Sequence, residues 1–213
     1  MAGIEVVSFD MEGTLITHDF SKLIWETDIP LLYAERHGGD HETARNHVMT
    51  LYDTVGDEEP EWYDIDYWFE RLDLEGDWRE LLQERYDACT PYPEVIGVLD
   101  RLEGDYRLIV SSNTIREFLE VQLRALPDAF ERVFSAPSDF NSVKDASFYL
   151  RICGEMDVEP ERIVHIGDSR RFDFEAPCEL GIHAVLLDHE GGSLDTGVVR
   201  NLMEFEGVLR RLP

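Results

Sequence analysis

Short apolar runs that end in acidic or small polar residues recur along this chain. Ile4-Glu5-Val6-Val7-Ser8-Phe9 runs into Asp10-Met11-Glu12-Gly13-Thr14. Arg107-Leu108-Ile109-Val110 ends in Ser111-Ser112-Asn113. Ile163-Val164-His165-Ile166 ends in Gly167-Asp168-Ser169, with Asp173 close behind. Runs this short, closed by glycine and polar residues, predict buried parallel strands that hand over to loops. Ala184–Leu187 reads as a further strand. Asp145–Met156 reads as a helix, as do Phe174–Leu180, closed by Gly181, and Val198–Leu209. Thr114 followed by Glu117 has the pattern of a capping box that opens a helix after Asn113. Helices alternating with strands imply an α/β fold: a Rossmann-like parallel sheet with helices on both faces.

Residues 17–90 break this alternation. Phe20–Tyr33 is apolar at mixed spacing and is interrupted by Pro30. His41–Val55 puts Val48, Met49, Leu51, Tyr52 and Val55 on one broad face. Asp66–Leu74 and Asp77–Tyr86 follow, divided by Gly76. The expectation is a small α-helical insertion between the first two strands. All four tryptophans, Trp25, Trp62, Trp68 and Trp78, fall in it. They serve either as the large side chains that a small helical unit needs for a core, or as an aromatic pocket over a site.

In open α/β sheets ligands bind beyond the carboxyl ends of the strands. Asp10 and Asp168 are therefore expected to converge in one crevice. Clustered carboxylates repel one another unless a cation joins them. A hard ion such as Mg²⁺ suits oxygen ligands and often brings a phosphate with it.

The series Asp10, Ser112, Lys144, Asp168 resembles, in order and spacing, the four motifs of the haloacid dehalogenase (HAD) superfamily. The flanks agree: Tyr92-Pro93-Glu94-Val95 precedes motif two, Arg132-Val133-Phe134-Ser135 precedes motif three, and Gly181-Ile182-His183-Ala184-Val185 follows motif four. The resemblance covers about residues 1–16 and 91–190. It implies a discontinuous core, 1–16 with 91–213, and a helical cap domain, 17–90, in the phosphatase-like branch. It further implies Asp10 as a nucleophile that forms an aspartyl phosphate. Glu12 falls where family phosphatases usually carry the aspartate that serves as general acid and base. The Asp-x-Glu-Gly-Thr form occurs in enolase-phosphatases of the family, so glutamate is compatible with this chemistry. The plainer alternative is that Glu12 only contacts solvent or a loop. Ser112 and the Asn113 backbone N–H would bind phosphoryl oxygens, with Ser111 the rival if the register is off by one. Lys144 would bind the same oxygens and offset charge on Asp10. Mg²⁺ would take oxygens from Asp10, the Glu12 backbone carbonyl and Asp168, and from Asp173 directly or through water. Asp173 is otherwise a cap for the Phe174 helix. Gly13 and Thr14 shape the turn after Asp10. Thr14 either hydrogen-bonds that loop or simply turns it. His18 and Asp19 lie at a mobile flap by resemblance, and His18 is either a substrate contact or a solvated loop histidine. Arg170 or Arg171 either approaches an anionic substrate tail or pairs at the surface.

Composition changes the picture in one respect. The formal net charge is −27 over 213 residues. Lys22 and Lys144 are the sole lysines. An acidic, lysine-poor surface suits a high-salt cytoplasm, where screening tolerates self-repulsion, so a halophilic source is expected. The charge argues against nucleic-acid and anionic-membrane partners, and it singles out Lys144 as a lysine kept at a motif position. Cys89, Cys153 and Cys178 have no metal-ligand spacing, and their odd number reads as reduced thiols. No basic-then-apolar leader and no run of membrane-spanning length is seen, so a cytoplasmic location is expected. Nothing in the sequence speaks to oligomeric state.

The leading expectation is a Mg²⁺-dependent phosphomonoester hydrolase acting on a small cytosolic phosphorylated metabolite. A 2-haloacid dehalogenase of this superfamily carries an aromatic residue at the Glu12 position, uses no metal and lacks the Gly-Asp signature. A phosphomutase needs a cap that recaptures its intermediate. A non-catalytic or regulatory binding protein of the same fold has Glu12 as its one supporting irregularity.

Overall fold

The computed structural model describes residues 3–191 and 197–213. Its centre is a six-stranded parallel sheet in the order β3-β2-β1-β4-β5-β6. The strands are β1 (Val6–Phe9), β2 (Arg107–Ser112), β3 (Arg132–Ser135), β4 (Ile163–Gly167), β5 (His183–Leu187) and β6 (Val198–Val199). Strand residues alternate between two faces. Val7, Phe9, Val110, Val164 and Ile166 join one core, with the helices Val95–Leu102 and Leu202–Leu209. Val6, Ile109 and Ile163 join the other, under the helix Ala146–Met156. The expected Rossmann-like architecture is what the chain adopts.

The last segment differs from expectation. Val198 and Val199 pair with Leu186 and Leu187 as a sixth strand, and the helix begins only at Leu202. Asn201 sets that start by accepting a hydrogen bond from the Glu204 N–H at 2.9 Å. The expected capping box is also absent. The helix Arg116–Leu123 has Ile115 at its N-cap position, and Ser138 Oγ accepts from the Arg116 N–H at 2.9 Å instead. A cap supplied from a distant segment is invisible to local pattern.

The β1–β2 connection is helical: Asp19–Leu23, a π-helical turn Ile24–Asp28, Ile29–His37, His41–Val55, Ile65–Arg71 and Trp78–Glu84. Pro30 does not end the run. Proline has no N–H to close onto the preceding turn, and that turn is wound in the wider π form. These helices enclose a second apolar cluster around Phe20, Ile24, Val48, Trp68, Trp78 and Leu82, which also takes in Ile115, Phe118 and Val121 of the Arg116–Leu123 helix and its N-cap. The connection leaves and returns at one place: the Thr17 N–H donates to the Thr90 carbonyl at 2.9 Å, and Ile16 bridges Pro91. Among the described residues, no helix is long and apolar enough to cross a membrane. Cys89, Cys153 and Cys178 are all free thiols.

Candidate active site

Asp10 is the first residue beyond β1. Its N–H donates to the Ile166 carbonyl of the neighbouring β4 at 2.9 Å, so the two central strands fix its backbone. Lys144 precedes the helix Ala146–Met156, whose start is fixed by Asp145 accepting from the Phe148 N–H at 2.8 Å. The Lys144 ammonium is buried and lies 2.5 Å from Asp10 Oδ1 and 2.5 Å from Asp173 Oδ1. Asp168, just past β4, is partly exposed. Its Oδ2 lies 3.1 Å from His18 Nε2. Oxygens of Asp10, Asp168 and Asp173 come within 4.8 Å of one another.

Two glycines allow this crowding. Gly13 has φ +74°, and a Cβ there would meet Asp168 Oδ2 at 2.2 Å and His18 Nε2 at 2.6 Å. At Gly167 a Cβ would meet Asp173 Cγ at 2.2 Å. Any side chain at either place would push a carboxylate out of the cluster.

Asp173 is not the N-cap residue itself, but its Oδ2 accepts from the N–H of the N-cap residue Ser169 at 2.9 Å. The π-helical turn Arg170–Glu175 is capped by Ser169, which accepts from the Phe172 N–H. Asp173 points inward, and below it runs a chain of buried polar contacts that the sequence did not reveal. His165 Nε2 lies 2.9 Å from Asp173 Oδ1, His165 Nδ1 lies 2.8 Å from Ser8 Oγ, and Ser8 Oγ lies 2.8 Å from Ser111 Oγ. Ser8, Ser111 and His165 interrupt three apolar strands on one sheet face, and each is satisfied by the next.

The charges follow from depth and neighbours. Burial pushes the Asp10 carboxyl up to about 7, with Lys144 pulling it down and Asp173 and Asp168 adding repulsion. Burial alone would also raise Asp173, but Lys144 and His165 outweigh it and hold that carboxyl below the ordinary range. Burial works against the Lys144 charge, yet Asp10 and Asp173 outweigh it and keep the ammonium protonated. Burial pushes Glu12 up to about 7, opposed by hydrogen bonds from Ser21 and by the charge of His18. Hydrogen bonding to Asp168 raises His18.

Glu12 does more than contact solvent or a loop. Its Oε1 accepts from Ser21 Oγ at 2.6 Å and from Gln122 Nε2 at 2.6 Å. Neither Ser21 nor Gln122 was legible as a site residue, since no motif contains them. Ser112 lines the site, whereas Ser111 is turned into the buried chain beneath. Asn113 is also at the site. Its side chain accepts from the Lys144 N–H at 2.7 Å and donates to Tyr63 Oη at 3.2 Å. Thr14 is buried, and its hydroxyl is without a hydrogen-bond partner among the described residues. Asp19 accepts from Thr17 Oγ1 at 2.9 Å, and Arg171 pairs with Glu58.

The three carboxylates, Lys144, Glu12, His18, Ser21, Ser112 and Asn113 open on one cavity of about 420 Å³. Asp10, Glu12, Ser112, Asn113, Lys144, Asp168 and Asp173 form its floor. Trp25, Trp62, Tyr63 and Phe118 form an aromatic wall, and Lys22 also lines it. Trp25 stacks on Phe118 with centroids 5.6 Å apart. Both roles open to the tryptophans are therefore filled, by different residues: Trp68 and Trp78 are buried in the helical cluster, while Trp25 and Trp62 line the cavity.

Residues 4–177 match the haloacid dehalogenase-like hydrolase family. This chain is a member of that family. Its relatives include the GMP/IMP nucleotidase YrfG of Escherichia coli (strain K12), 29% identical over 187 residues, spanning 86% of this chain and 82% of the relative. Among solved structures, a HAD phosphatase from Thermococcus onnurineus superposes with a TM-score of 0.86 at 23% identity, covering 97% of this chain and 98% of that one. A 2-haloacid dehalogenase from Pseudomonas syringae pv. Tomato DC3000 superposes with a TM-score of 0.68 at 22% identity, covering 98% and 99%. These structures share the fold.

Proposed function

We propose that this protein is a Mg²⁺-dependent phosphomonoester hydrolase of the cytoplasm, acting on a small metabolite whose body is planar and aromatic, with nucleoside monophosphates the leading class. The observation that carries the reading is the convergence of Asp10, Glu12, Lys144 and the Asp168–Asp173 pair on one cavity floor. Both lysines of a chain with net charge −27 line that cavity, which supports an anionic substrate. The wall of Trp25, Trp62 and Tyr63 suits a base that stacks, and the GMP/IMP nucleotidase relative points the same way. The helices of the β1–β2 connection act in this reading as the cap that selects the substrate body.

The donor set fits a hard dication. Asp10 and Asp173 share one buried lysine, and Asp168 adds a third carboxylate beside them, a cluster of oxygen ligands that suits such an ion. Asp10, Asp168, Asp173 and the Glu12 backbone carbonyl would hold Mg²⁺, which when bound offsets the repulsion between carboxylate and phosphate. Asp10 attacks phosphorus. As the new O–P bond forms, the ester P–O bond breaks, and the leaving oxygen takes a proton from Glu12. The Glu12 carboxylate then takes a proton from water, whose oxygen attacks phosphorus and releases Asp10. Lys144, Ser112 and the Asn113 N–H hold the phosphoryl oxygens through both steps. A haloacid substrate gives Glu12 no leaving oxygen to protonate.

The test is phosphate release from an aryl phosphate and from GMP and IMP, in high KCl, with and without Mg²⁺. Turnover that needs Mg²⁺ and is abolished by Asp10→Asn is expected. A folded, Mg²⁺-binding protein that releases no phosphate would point to a binding role. The acidic, lysine-poor composition supports a halophilic setting, with the thermal midpoint rising as KCl is added.

A further inference from the structure

The helix Arg116–Leu123 turns Phe118, Leu119, Val121 and Gln122 inward, and Gln122 is fully buried. Three of these are what a core helix asks for. The fourth is a primary amide, and its Oε1 has no hydrogen-bond partner among the described residues. A buried amide oxygen left unpaired lowers stability, and an apolar side chain of similar size would not carry that cost. The other end of the same amide makes one contact, Nε2 to Glu12 Oε1 at 2.6 Å. Stability given up beside a reactive group is a sign that the group is being served.

Glu12 has need of it. Relative to aspartate its side chain carries one more rotatable bond, and a proton donor must be held within hydrogen-bond reach of the reacting oxygen. Two donors converge on Glu12 Oε1 from different parts of the molecule, Ser21 from the helical connection and Gln122 from the core. Together they remove the freedom that the extra methylene adds. With Oε1 occupied, proton exchange falls to Oε2.

Resting on the phosphatase reading above, we infer that Gln122 is a positioning residue that fixes the Glu12 carboxylate for both proton transfers. It acts through Glu12 and does not touch the phosphoryl group.

The experiment compares wild type, Gln122→Met, Glu12→Gln and the double variant on p-nitrophenyl phosphate, by stopped flow and in steady state. Nitrophenolate leaves without a proton, so formation of the aspartyl phosphate needs little from Glu12, whereas its hydrolysis needs the base. Gln122→Met should keep the first-turnover burst within about twofold and lower steady-state kcat by about 10- to 100-fold, with KM not increased. Glu12→Gln should show the same signature more strongly, and adding Gln122→Met to it should cost nothing further. Thermal melting of each variant checks the fold, and Gln122→Met should melt no lower than wild type. A wild-type kcat in Gln122→Met overturns the assignment. So does a parallel fall in burst and steady state, which marks a merely structural role. Absence of turnover in the wild type overturns the phosphatase reading and this assignment with it.

Discussion

Two regions of this molecule bury side chains to similar depth by opposite rules. At the carboxyl edge of β1 and β4, charged and polar groups are buried, and the central ones are held by particular atoms: Lys144 between Asp10 and Asp173, His165 between Asp173 and Ser8. In the helical connection, apart from Asp28 held by Arg85, buried groups are mostly large and apolar, and contact is made chiefly by shape: Trp68 against Tyr52 with centroids 4.6 Å apart, and Phe20 against Phe118 at 5.6 Å. The first region is intolerant of a change in a single atom. The second tolerates changes of identity that conserve volume. Precision therefore sits at the sheet edge, where the carboxylates and the lysine meet, and adaptability sits in the helices that close over it.

The sharpest way to break this contrast is at Lys144. Lys144→Met leaves Asp10 and Asp173 buried without their shared cation. The expected loss is about 3–5 kcal/mol of stability, read by urea denaturation, together with turnover. A loss below about 1 kcal/mol would mean that the edge is as forgiving as the helices. Trp68→Ala tests the other region. Truncating this fully buried ring should cost about 3–5 kcal/mol, while Trp68→Phe recovers most of it and turnover survives wherever the protein is folded. Gly167→Ala adds a single methyl at the edge, against Asp173. It should cost about 1–3 kcal/mol and weaken Mg²⁺ binding in calorimetry. Trp25→Ala removes a cavity wall. It should raise KM for an aromatic ester about tenfold with kcat nearly kept, a loss of about 1.4 kcal/mol in binding.

The smallest effect lies away from both regions. Glu206 accepts from Arg101 at 2.9 Å, which holds its carboxyl below the ordinary range. A carboxyl depressed in the folded state stabilises above its unfolded pKa, and the contribution is lost as pH falls through the folded value. The gap in thermal midpoint between wild type and Glu206→Gln should be present at neutral pH and close below about pH 4.

Much of the edge was legible in the sequence because its chemistry is local. An apolar run closed by aspartate marks both a strand and its end, so Asp10 and Asp168 could be placed without any long-range contact. Lys144 stood out because lysine is nearly absent. What stayed hidden depends on partners far along the chain. Ser8, Ser111 and His165 are polar interruptions in apolar strands, and their meaning appears only when three strands lie side by side. Gln122 sits 110 positions from Glu12. The start of the Arg116–Leu123 helix is satisfied by Ser138, so the local capping pattern misled. The tryptophans could not be divided between core and cavity, since burial and lining place the same demand on composition.

The bond between Thr17 and Thr90 bears on how such a chain is built over evolutionary time. Material added between two adjacent backbone positions shifts no register, so the sheet takes no part in the change. The β1–β2 connection can lengthen, shrink or be exchanged for an unrelated helical piece while the carboxylates at the edge stay where they are. Beyond the contacts of His18 with Asp168 and of Ser21 with Glu12, a packing requirement constrains the exchange. Ile115, Phe118 and Val121 belong to the core side of the junction, yet they pack into the cluster of the connection. Any replacement must bring its own apolar cover for those three residues, or the ancestor that accepts it will aggregate before it acquires a new substrate.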